Sequence, residues 1–342
     1  MLPKRRPKTY VVRSIGKNER VVMKSQRLLL WILLSFSIVS ISSAGAVFQL
    51  MEDVPALLRA SWRFQLTALI MAPMFFVQFR DMRSDEHAML QLKLPETRWI
   101  ILGSGLSLGL HMGAWVWSLD NTSLTHSLLF VTIHPLIIVF GALLLRKYVP
   151  KQQIFGASIG FVGGGITLLG ISVEAEVTLL GDLAAVVGAC AVVGYFLAGR
   201  KLRQWMPLFV YILPVTMIAA VFLAVMSLML EGSTFSMEDV NLSLFGWMSS
   251  AWIFYVLYLA AFPGIVGHAG ISAVLRWFPP IIVSVAYLFE PLIGSFIGWL
   301  LGTTEIPSLW TWVGAIVLMF GTVMVIKGDE ELMSGEGGET ID

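Results

Sequence analysis

The sequence predicts an all-helical membrane protein that crosses the bilayer ten times. Stretches of about twenty apolar residues recur ten times along the 342 residues, of which 57% are hydrophobic and only 13% charged, and the mean hydropathy is +0.80. A bilayer core about 30 Å thick is spanned by about 20 helical residues. Basic residues fall in alternate gaps between these stretches, which indicates that successive helices run in opposite directions.

Hydropathy, together with the positions of Pro and Gly, predicts where each helix begins and ends. The predicted helices cover residues 28–50, 55–79, 99–119, 123–145, 152–171, 179–199, 207–230, 251–275, 279–301 and 310–327. The eighth is the least regular, because apolar sequence runs from Leu242 to Leu275 and Pro263-Gly264 interrupts it. A helix break is expected at that point.

The charges lie on one side of the predicted membrane. Of the 23 Lys and Arg residues, 21 fall before the first helix, after the even-numbered helices or at the end of the tenth. Because cytoplasmic loops carry the excess of Lys and Arg, both termini are expected in the cytoplasm. The net charge of +1 hides this asymmetry and gives no indication of nucleic-acid binding. The basic N-terminus is expected to contact anionic membrane lipid. Glu19 and the scarcity of Ser near it favour a plasma membrane over an organelle membrane.

A weak internal duplication divides the chain into two halves. The segment HPLIIVFGALLL (134–145) aligns with EPLIGSFIGWLL (290–301) at an offset of 156, with six identities in twelve positions. Gly156 and Gly163 align with Gly314 and Gly321 at an offset of 158, and Pro55 aligns with Pro207 at 152. The predicted organisation is a basic N-terminal segment (1–27), a first five-helix repeat (28–171), a second five-helix repeat (179–327) and an acidic, disordered cytoplasmic tail (328–342).

Five is an odd number of helices, so a first half that starts in the cytoplasm requires a second half that starts outside. The two repeats are therefore predicted to be inverted. Inverted repeats that rock about a shared central site are a recurrent plan of secondary transporters.

Several segments resemble the drug/metabolite transporter superfamily, in its EamA-like branch. They are PALLRASWRFQLTALIMAP at the start of the second helix, HPLIIVFGALLL, FEPLIGSFIGWLLG and the glycine-rich last helix of each half. The resemblance implies ten helices, cytoplasmic termini and a central cavity lined by helices 1–4 and 6–9. It also implies export or exchange of small metabolites.

Ionisable side chains inside the predicted helices are the candidates for a substrate or coupling site, since a charge at the bilayer centre costs roughly 2.5–3.5 kcal/mol. Arg63 is a candidate to hold an anionic or zwitterionic substrate group. Glu290 is a candidate counter-charge or proton carrier, and the alternative for both is a buried ion pair that fixes helix packing. Arg59 lies closer to the membrane surface, so it is expected either to bind substrate, or to extend outward to the lipid headgroups or pair with a carboxylate. The carboxylates within reach are Glu52, Asp53 and Asp120.

Histidine and aromatic residues complete the set. His134 aligns with Glu290 across the duplication. Because an ordinary imidazole titrates near neutral pH, His134 is a candidate for a coupling role. The alternative is a histidine that is hydrogen-bonded within the packed helices. His111 shares a helix face with Trp115, which suits either a cavity wall or an interfacial belt. Pro135 and Pro291, each directly after an ionisable residue, are expected to kink the fourth and ninth helices.

The predicted function is a secondary carrier that moves a small polar or amphipathic metabolite by alternating access, with proton coupling or exchange. A divalent-metal transporter is one alternative, with ligands drawn from His111, His126, His134, His268 and Glu290. An intramembrane enzyme is less favoured, because HExxH, GxSxG and phosphate-loop motifs are absent from the sequence. No cofactor is expected. Glycine faces on the fifth and tenth helices would permit a homodimer.

Overall fold

The computed structural model describes residues 17–167, 178–304 and 309–334, and this part of the chain is mostly helical. Eight of its helices are long and apolar enough to cross a membrane. They are α1 (Lys17–Ser42, continued by Ala44–Gln49), α2 (Ala56–Met82), α3 (Pro95–Leu119), α4 (Leu124–Val131 and His134–Leu144), α6 (Leu179–Leu202), α7 (Leu208–Leu230), α8 (Ile253–Val274) and α9 (Pro280–Leu300). The predicted all-helical architecture is confirmed.

The other two predicted helices correspond to α5 (Lys151–Thr167) and α10 (Leu309–Ser334). Residues 168–171, predicted as the end of the fifth helix, lie outside the described residues. Helix α10 continues past Lys327 as far as Ser334, so its last turns occupy the start of the segment predicted to be a disordered tail. The short helix Glu86–Lys93, which the hydropathy pattern did not predict, joins α2 to α3 and is capped by Asp85.

Helices from the two halves of the chain pack against each other in pairs. Helix α3 packs on α6, and α1 packs on α8. In the same way α2 packs on α7, α4 on α9 and α5 on α10. The two ends of this bundle differ in charge. We call the end with the loops after α2, α4, α6 and α8 the basic end, and the opposite end the acidic end.

Helices α4 and α9 are both interrupted near their midpoints. In α4, Thr132 and Ile133 separate Leu124–Val131 from a second segment that starts at His134. In α9, a 3-10 turn at Tyr287–Phe289 precedes a second segment that starts at Glu290. The second residue of each of these segments, Pro135 or Pro291, has no N–H. It therefore cannot donate the helical hydrogen bond that would cross the interruption. Thr132 Oγ1 donates to the carbonyls of Leu128 and Leu129 and so satisfies two carbonyls at the break.

The helix break predicted at Pro263-Gly264 is wrong. The chain stays helical there, but in the wider π conformation. Residues Ala260–Ala269 of α8 form a π-helix, which continues directly into Gly270–Val274. A local π adjustment re-satisfies backbone groups that a proline leaves free. Glycines on this segment allow close packing: a Cβ at Gly267 would lie 2.5 Å from Ile41 of α1, and one at Gly264 would lie 2.6 Å from Thr67 of α2.

The apolar residues that precede α8 form a folded loop at the acidic end. A β-bridge joins Thr234 to Ser243, and the loop then packs on α2. Trp62 Nε1 donates to the Ser243 carbonyl at 3.0 Å, and Trp247 Nε1 donates to Gln65 Oε1 at 2.9 Å. These bonds satisfy polar groups that a membrane would leave unpaired.

Helices α2 and α7 cap each other. Each starts after a proline, Pro55 or Pro207, whose side chain cannot accept a hydrogen bond from the first free N–H groups. Glu231, at the end of α7, accepts from Leu57 N at 2.8 Å and Leu58 N at 3.0 Å in α2. Gln78, near the end of α2, accepts from Phe209 N in α7 at 2.8 Å. The partner helix thus supplies the cap.

Helices α5 and α10 approach so closely that their glycines have no room for a side chain. A Cβ at Gly163 would lie 2.9 Å from the Gly314 carbonyl oxygen, and one at Gly156 would lie 2.8 Å from that of Gly321. Small residues at such a contact let two backbones meet in a membrane. By contrast, a Cβ at Gly165, two residues after Gly163, would have no heavy atom within 4 Å.

This contrast gives a matched pair of substitutions. We expect Gly163→Ala to lower the free energy of unfolding by about 1–3 kcal/mol, because the added methyl group overlaps backbone atoms of α10. Gly165→Ala is expected to leave stability unchanged within about 1 kcal/mol. Denaturation of the purified protein in detergent measures both. Equal stability of the two variants would contradict the close contact.

Candidate functional site

A small buried cavity lies in the middle of the bundle, where the two halves of the chain meet. Its volume is about 10 Å³, room for about one water molecule. Three helices of each half contribute to its wall: α1, α3 and α4 from the first, and α6, α8 and α9 from the second. The lining residues are Ile41, His111, Trp115, Val131, His134, Val192, His268, Tyr287 and Glu290. Four of the six residues predicted from the sequence to form the site are among them.

Glu290 and His134 reach the cavity from equivalent points, the first residue after the interruption in α9 and in α4. Glu290 is buried, with 3% of its surface exposed, and no other described side chain lies within ion-pair distance of it. The His134 ring packs edge-on against Phe196 and Tyr287, with centroid distances of 5.6 and 5.1 Å. Its Nδ1 atom has no hydrogen-bond partner among the described residues.

Arg63 lies beside the cavity in an aromatic and thioether pocket. Its guanidinium carbon is 5.9 Å from the centroid of the Phe48 ring and 5.7 Å from that of Phe64, and Nη1 is 3.8 Å from Met112 Sδ. Its Nε and Nη2 atoms are fully buried without partners in the described part of the chain. Glu290 is near enough to attract it electrostatically but does not form an ion pair with it. The direct pair considered from the sequence is therefore not made.

His111 and Trp115 lie on one face of α3, and both line the cavity. Their rings are nearly parallel, with centroids 6.5 Å apart. His111 Nδ1 lies 3.0 Å from the Gly188 carbonyl oxygen of α6, which fixes the ring and requires Nδ1 to carry the proton. Trp115 Nε1, a group that can only donate, is buried without an acceptor among the described residues. Of the two roles considered for Trp115, the structure places it in the cavity wall.

Two further residues line the cavity: His268, which the sequence suggested only as a possible metal ligand, and Tyr287, which was not among the predicted site residues. His268 lines the cavity from the π-helical part of α8, and its ring centroid is 6.5 Å from that of His111. The signal was present in the duplication, because His111 and His268 are 157 residues apart, within the range of offsets that relates the two halves. Tyr287 precedes Glu290 by three residues, so both share a helix face. Its hydroxyl is also buried and unpartnered in the described structure.

Comparison with known proteins agrees with this architecture. Residues 27–169 match the model of the EamA-like transporter family. No curated protein matches the sequence at a significant level. A solved structure described as "Crystal structure of protein" is 17% identical to this chain, with a TM-score of 0.61, and the match covers 87% of this chain and 98% of the other. At that identity the likeness concerns the fold alone, and it extends over the second half.

At the acidic end of the bundle, polar contacts join α3 and α4 to α6. Thr122 Oγ1 donates to Asp182 Oδ1 at 2.8 Å, and His126 Nδ1 lies 3.4 Å from Asp182 Oδ2. Thr178 donates to the Asn121 carbonyl in the same region. His126, a metal-ligand candidate from the sequence, thus belongs to this contact and not to the cavity. We call these bonds the acidic-end closure.

At the basic end, arginines of α6 bind the free carbonyls at the end of α8. Arg200 Nη1 donates to the carbonyls of Leu275 at 3.0 Å and Arg276 at 2.7 Å, and Arg203 Nε donates to that of Ser272 at 3.1 Å. Cations at a helix C-terminus satisfy its last carbonyls and its dipole. Burial lowers the pKa of Arg203 to about 10, so its guanidinium stays charged at neutral pH. We call these bonds the basic-end closure.

Arg59 is held away from the cavity by polar groups at the acidic end. It donates to the carbonyls of Met51 at 3.1 Å and Val54 at 3.2 Å, and it forms an ion pair with Asp120. Its side chain is fully buried, whereas that of Asp120 is 33% exposed. Of the two roles considered from the sequence, these contacts favour the structural one.

Metal binding receives no support from the cavity. Among the described residues, no three His, Cys, Asp or Glu side chains are grouped as ligands for a metal ion. His111 is engaged with a backbone carbonyl, and His126 contacts Asp182 at the acidic end.

The Arg59–Asp120 contact predicts a change in stability without a change in substrate binding. Asp120→Ala leaves a buried guanidinium without its carboxylate, which is expected to cost about 1–3 kcal/mol in the free energy of unfolding. Asp53→Ala removes an exposed carboxylate at the same end and is the control. Thermal unfolding and transport are measured on both. Unchanged stability with lost transport in Asp120→Ala would contradict the structural role of Arg59.

Proposed function

We propose that this EamA-like membrane protein is a secondary carrier that moves a small metabolite with an anionic or zwitterionic group by alternating access. We propose further that its ten helices form two inverted repeats of five, α1–α5 and α6–α10. The observation that carries the proposal is the central cavity, where unpartnered buried polar atoms of both halves converge. Leaving a buried polar group unpaired costs about 1–3 kcal/mol, and a bound substrate would recover that cost.

The helix packing supports the two-repeat arrangement. Replacing each helix by the one five places away turns the α3–α6 pair into the α8–α1 pair. The same exchange maps the pairs α2–α7, α4–α9 and α5–α10 onto themselves, and all five pairs are in contact. Two further features are preserved by this exchange. Helices α4 and α9 are interrupted at corresponding points, before His134 and Glu290, and α2 and α7 cap each other. Repeats of this kind place the substrate site at their interface.

The polar groups at the cavity support the choice of substrate class. Arg63 Nε and Nη2 and Trp115 Nε1 can only donate hydrogen bonds, so they suit a carboxylate or another acceptor-rich group. Glu290 is the carboxylate on the opposite wall. Either a cationic group on the substrate or a bound proton would balance its charge. The first gives a zwitterionic substrate, and the second gives a carrier coupled to protons.

The contacts at the two ends support alternating access. The acidic-end closure joins the two halves, because it links α6 to α3 and α4, whereas the basic-end closure lies within the second half, between α6 and α8. At the basic end, the ion pair of Lys201 with Glu96, 2.6 Å apart, joins the halves. Breaking the contacts between the halves at one end while those at the other end hold would open the cavity to one side only, as a rocking motion between repeats requires.

Transport into liposomes tests the proposed function. Purified protein is reconstituted, and uptake of amino acids, organic acids, phosphorylated sugars and nucleosides is measured at two pH values and in counterflow. We expect saturable counterflow of at least one anionic or zwitterionic compound. Failure of every compound class with correctly folded, reconstituted protein would refute the carrier.

Two substitutions separate the proposed roles of Arg63 and Glu290. Arg63→Lys keeps the charge but loses the planar fork, so KM is expected to rise about 10- to 100-fold, the equivalent of one charge-assisted hydrogen bond. Arg80→Lys, at an exposed position, is the control. Equal KM values in the two variants would remove Arg63 from the site.

Glu290→Gln is expected to abolish accumulation driven by a pH gradient while counterflow continues, because exchange needs no net proton movement. Glu52→Gln, an exposed carboxylate at the acidic end, serves as the control. Gradient-driven accumulation that survives in Glu290→Gln, with wild-type KM, would show that Glu290 neither carries a proton nor balances charge.

We propose that the protein lies in a plasma membrane with both termini in the cytoplasm, because the loops rich in Lys and Arg face the cytoplasm in membrane proteins. A cysteine introduced at an exposed basic-end residue such as Lys151 should resist an impermeant thiol reagent applied to intact cells, whereas one at Glu238 of the acidic end should react. Both variants carry Cys190→Ser, so that the introduced thiol is the only cysteine. The reverse labelling pattern would invert the topology.

A further inference from the structure

The cavity holds two histidines at equivalent points of the two halves, and their surroundings differ. His111 lies in α3 and His268 in α8, 157 residues apart, and Gly113 and Gly270 follow each of them at the same distance. Both rings are buried, with 8% and 4% of their surface exposed, and both line the cavity. If the two halves were equal in detail, both imidazoles would be held in the same way.

Only one of the two imidazoles is fixed by a hydrogen bond to the described backbone. His111 Nδ1 bonds to the Gly188 carbonyl of α6 at 3.0 Å. The packing pair that corresponds to α3 on α6 is α8 on α1, so a carbonyl of α1 would be the expected partner of His268. Instead, His268 Nδ1 is fully buried and has no partner among the described residues. In the contact between α8 and α1, Ser37 of α1 donates to the Val266 carbonyl of α8 at 2.9 Å.

The local helix geometry accounts for this difference. His111 lies in a regular α-helix, whereas His268 lies near the end of the π-helical segment Ala260–Ala269. A π-helix contains more residues per turn, so each residue within it points in a direction shifted from that in an α-helix. The contacts of Gly267 with Ile41 and of Gly270 with Ser37 hold this segment tightly against α1. The shift is therefore held by packing, and the ring of His268 is kept at the cavity without a backbone partner.

We propose that His268 is a substrate-contacting residue of the central cavity, freed for that role by the π-helical segment of α8, whereas His111 is a positioning residue that fixes α3 to α6. This inference rests on the proposed carrier function and assigns separate roles within its site. The ligand group that suits His268 is one that can complete a hydrogen bond with an imidazole nitrogen, such as a carboxylate, a phosphate or a hydroxyl. Tyr287 and Trp115, also unpartnered at the cavity, face the same ligand.

The two roles have opposite consequences for stability, which can be measured without any substrate. His111→Leu preserves side-chain volume but leaves the Gly188 carbonyl without its donor, so the melting temperature in detergent should fall by several degrees. His268→Leu removes a buried polar atom that has no partner, so the melting temperature should stay equal or rise. His87→Leu, at an exposed residue of the short helix Glu86–Lys93, is the control.

Counterflow of the compound found in the liposome screen supplies the second measurement. His268→Leu should raise KM about tenfold or more, whereas the control His87→Leu should leave KM unchanged, as expected when one hydrogen bond to substrate is lost in the first variant only. A fall in melting temperature in His268→Leu as large as in His111→Leu would overturn the inference, as would a wild-type KM in His268→Leu. If wild-type protein transports no compound of the panel, the carrier proposal fails, whereas the melting temperatures still decide whether His268 is the unfixed imidazole.

Discussion

Burying a polar group in an apolar bundle costs free energy unless that group has a partner, and the organisation of this protein depends on that cost. In much of the described bundle the cost is met locally: Arg59 is bound by Asp120 and two carbonyls, and Trp62 by the Ser243 carbonyl. Some buried polar atoms without described partners lie elsewhere, as at Ser40, Gln49 and Ser249, but half of the twelve lie at or beside the central cavity. Arg63, Trp115, His134, His268 and Tyr287 all hold buried nitrogen or oxygen atoms without described partners there. A packed core would not retain such groups together without a gain elsewhere.

The cavity itself is too small for a metabolite, since its volume of about 10 Å³ accommodates roughly one water molecule. All of its lining residues are buried. Binding of a larger ligand then requires the walls to separate. The glycine contacts of α8 with α1 and of α5 with α10 are backbone contacts, which tolerate sliding less readily than contacts between flexible side chains.

Hydropathy and charge predicted the helices well because both depend on long stretches of sequence. They did not predict local geometry that depends on tertiary contacts. The residues from Leu242 to Trp252 are apolar enough for a helix, yet they fold as a loop because Trp62 and Gln65 of α2 bind their carbonyls. Pro263 was expected to break α8, but a π-helix absorbs the lost hydrogen bond. In the site, the sequence predicted Glu290, His134 and His111 because ionisable residues are rare inside membrane helices. It predicted Trp115 because Trp115 shares a helix face with His111. His268 required the duplication offset to be applied to the third and eighth helices, and Tyr287 required knowledge of which face of α9 is turned inward.

The reciprocal caps of α2 and α7 have a consequence for how the chain matures. The free N–H groups at the start of α2 are satisfied by Glu231, a residue synthesised about 170 residues later, and those of α7 by Gln78. During synthesis, the first half therefore enters the membrane with an incomplete helix start. Insertion of α7 supplies that missing acceptor and receives one in return, so the two bundles become stable together. A nascent chain arrested before Glu231 would be a natural substrate for membrane quality control.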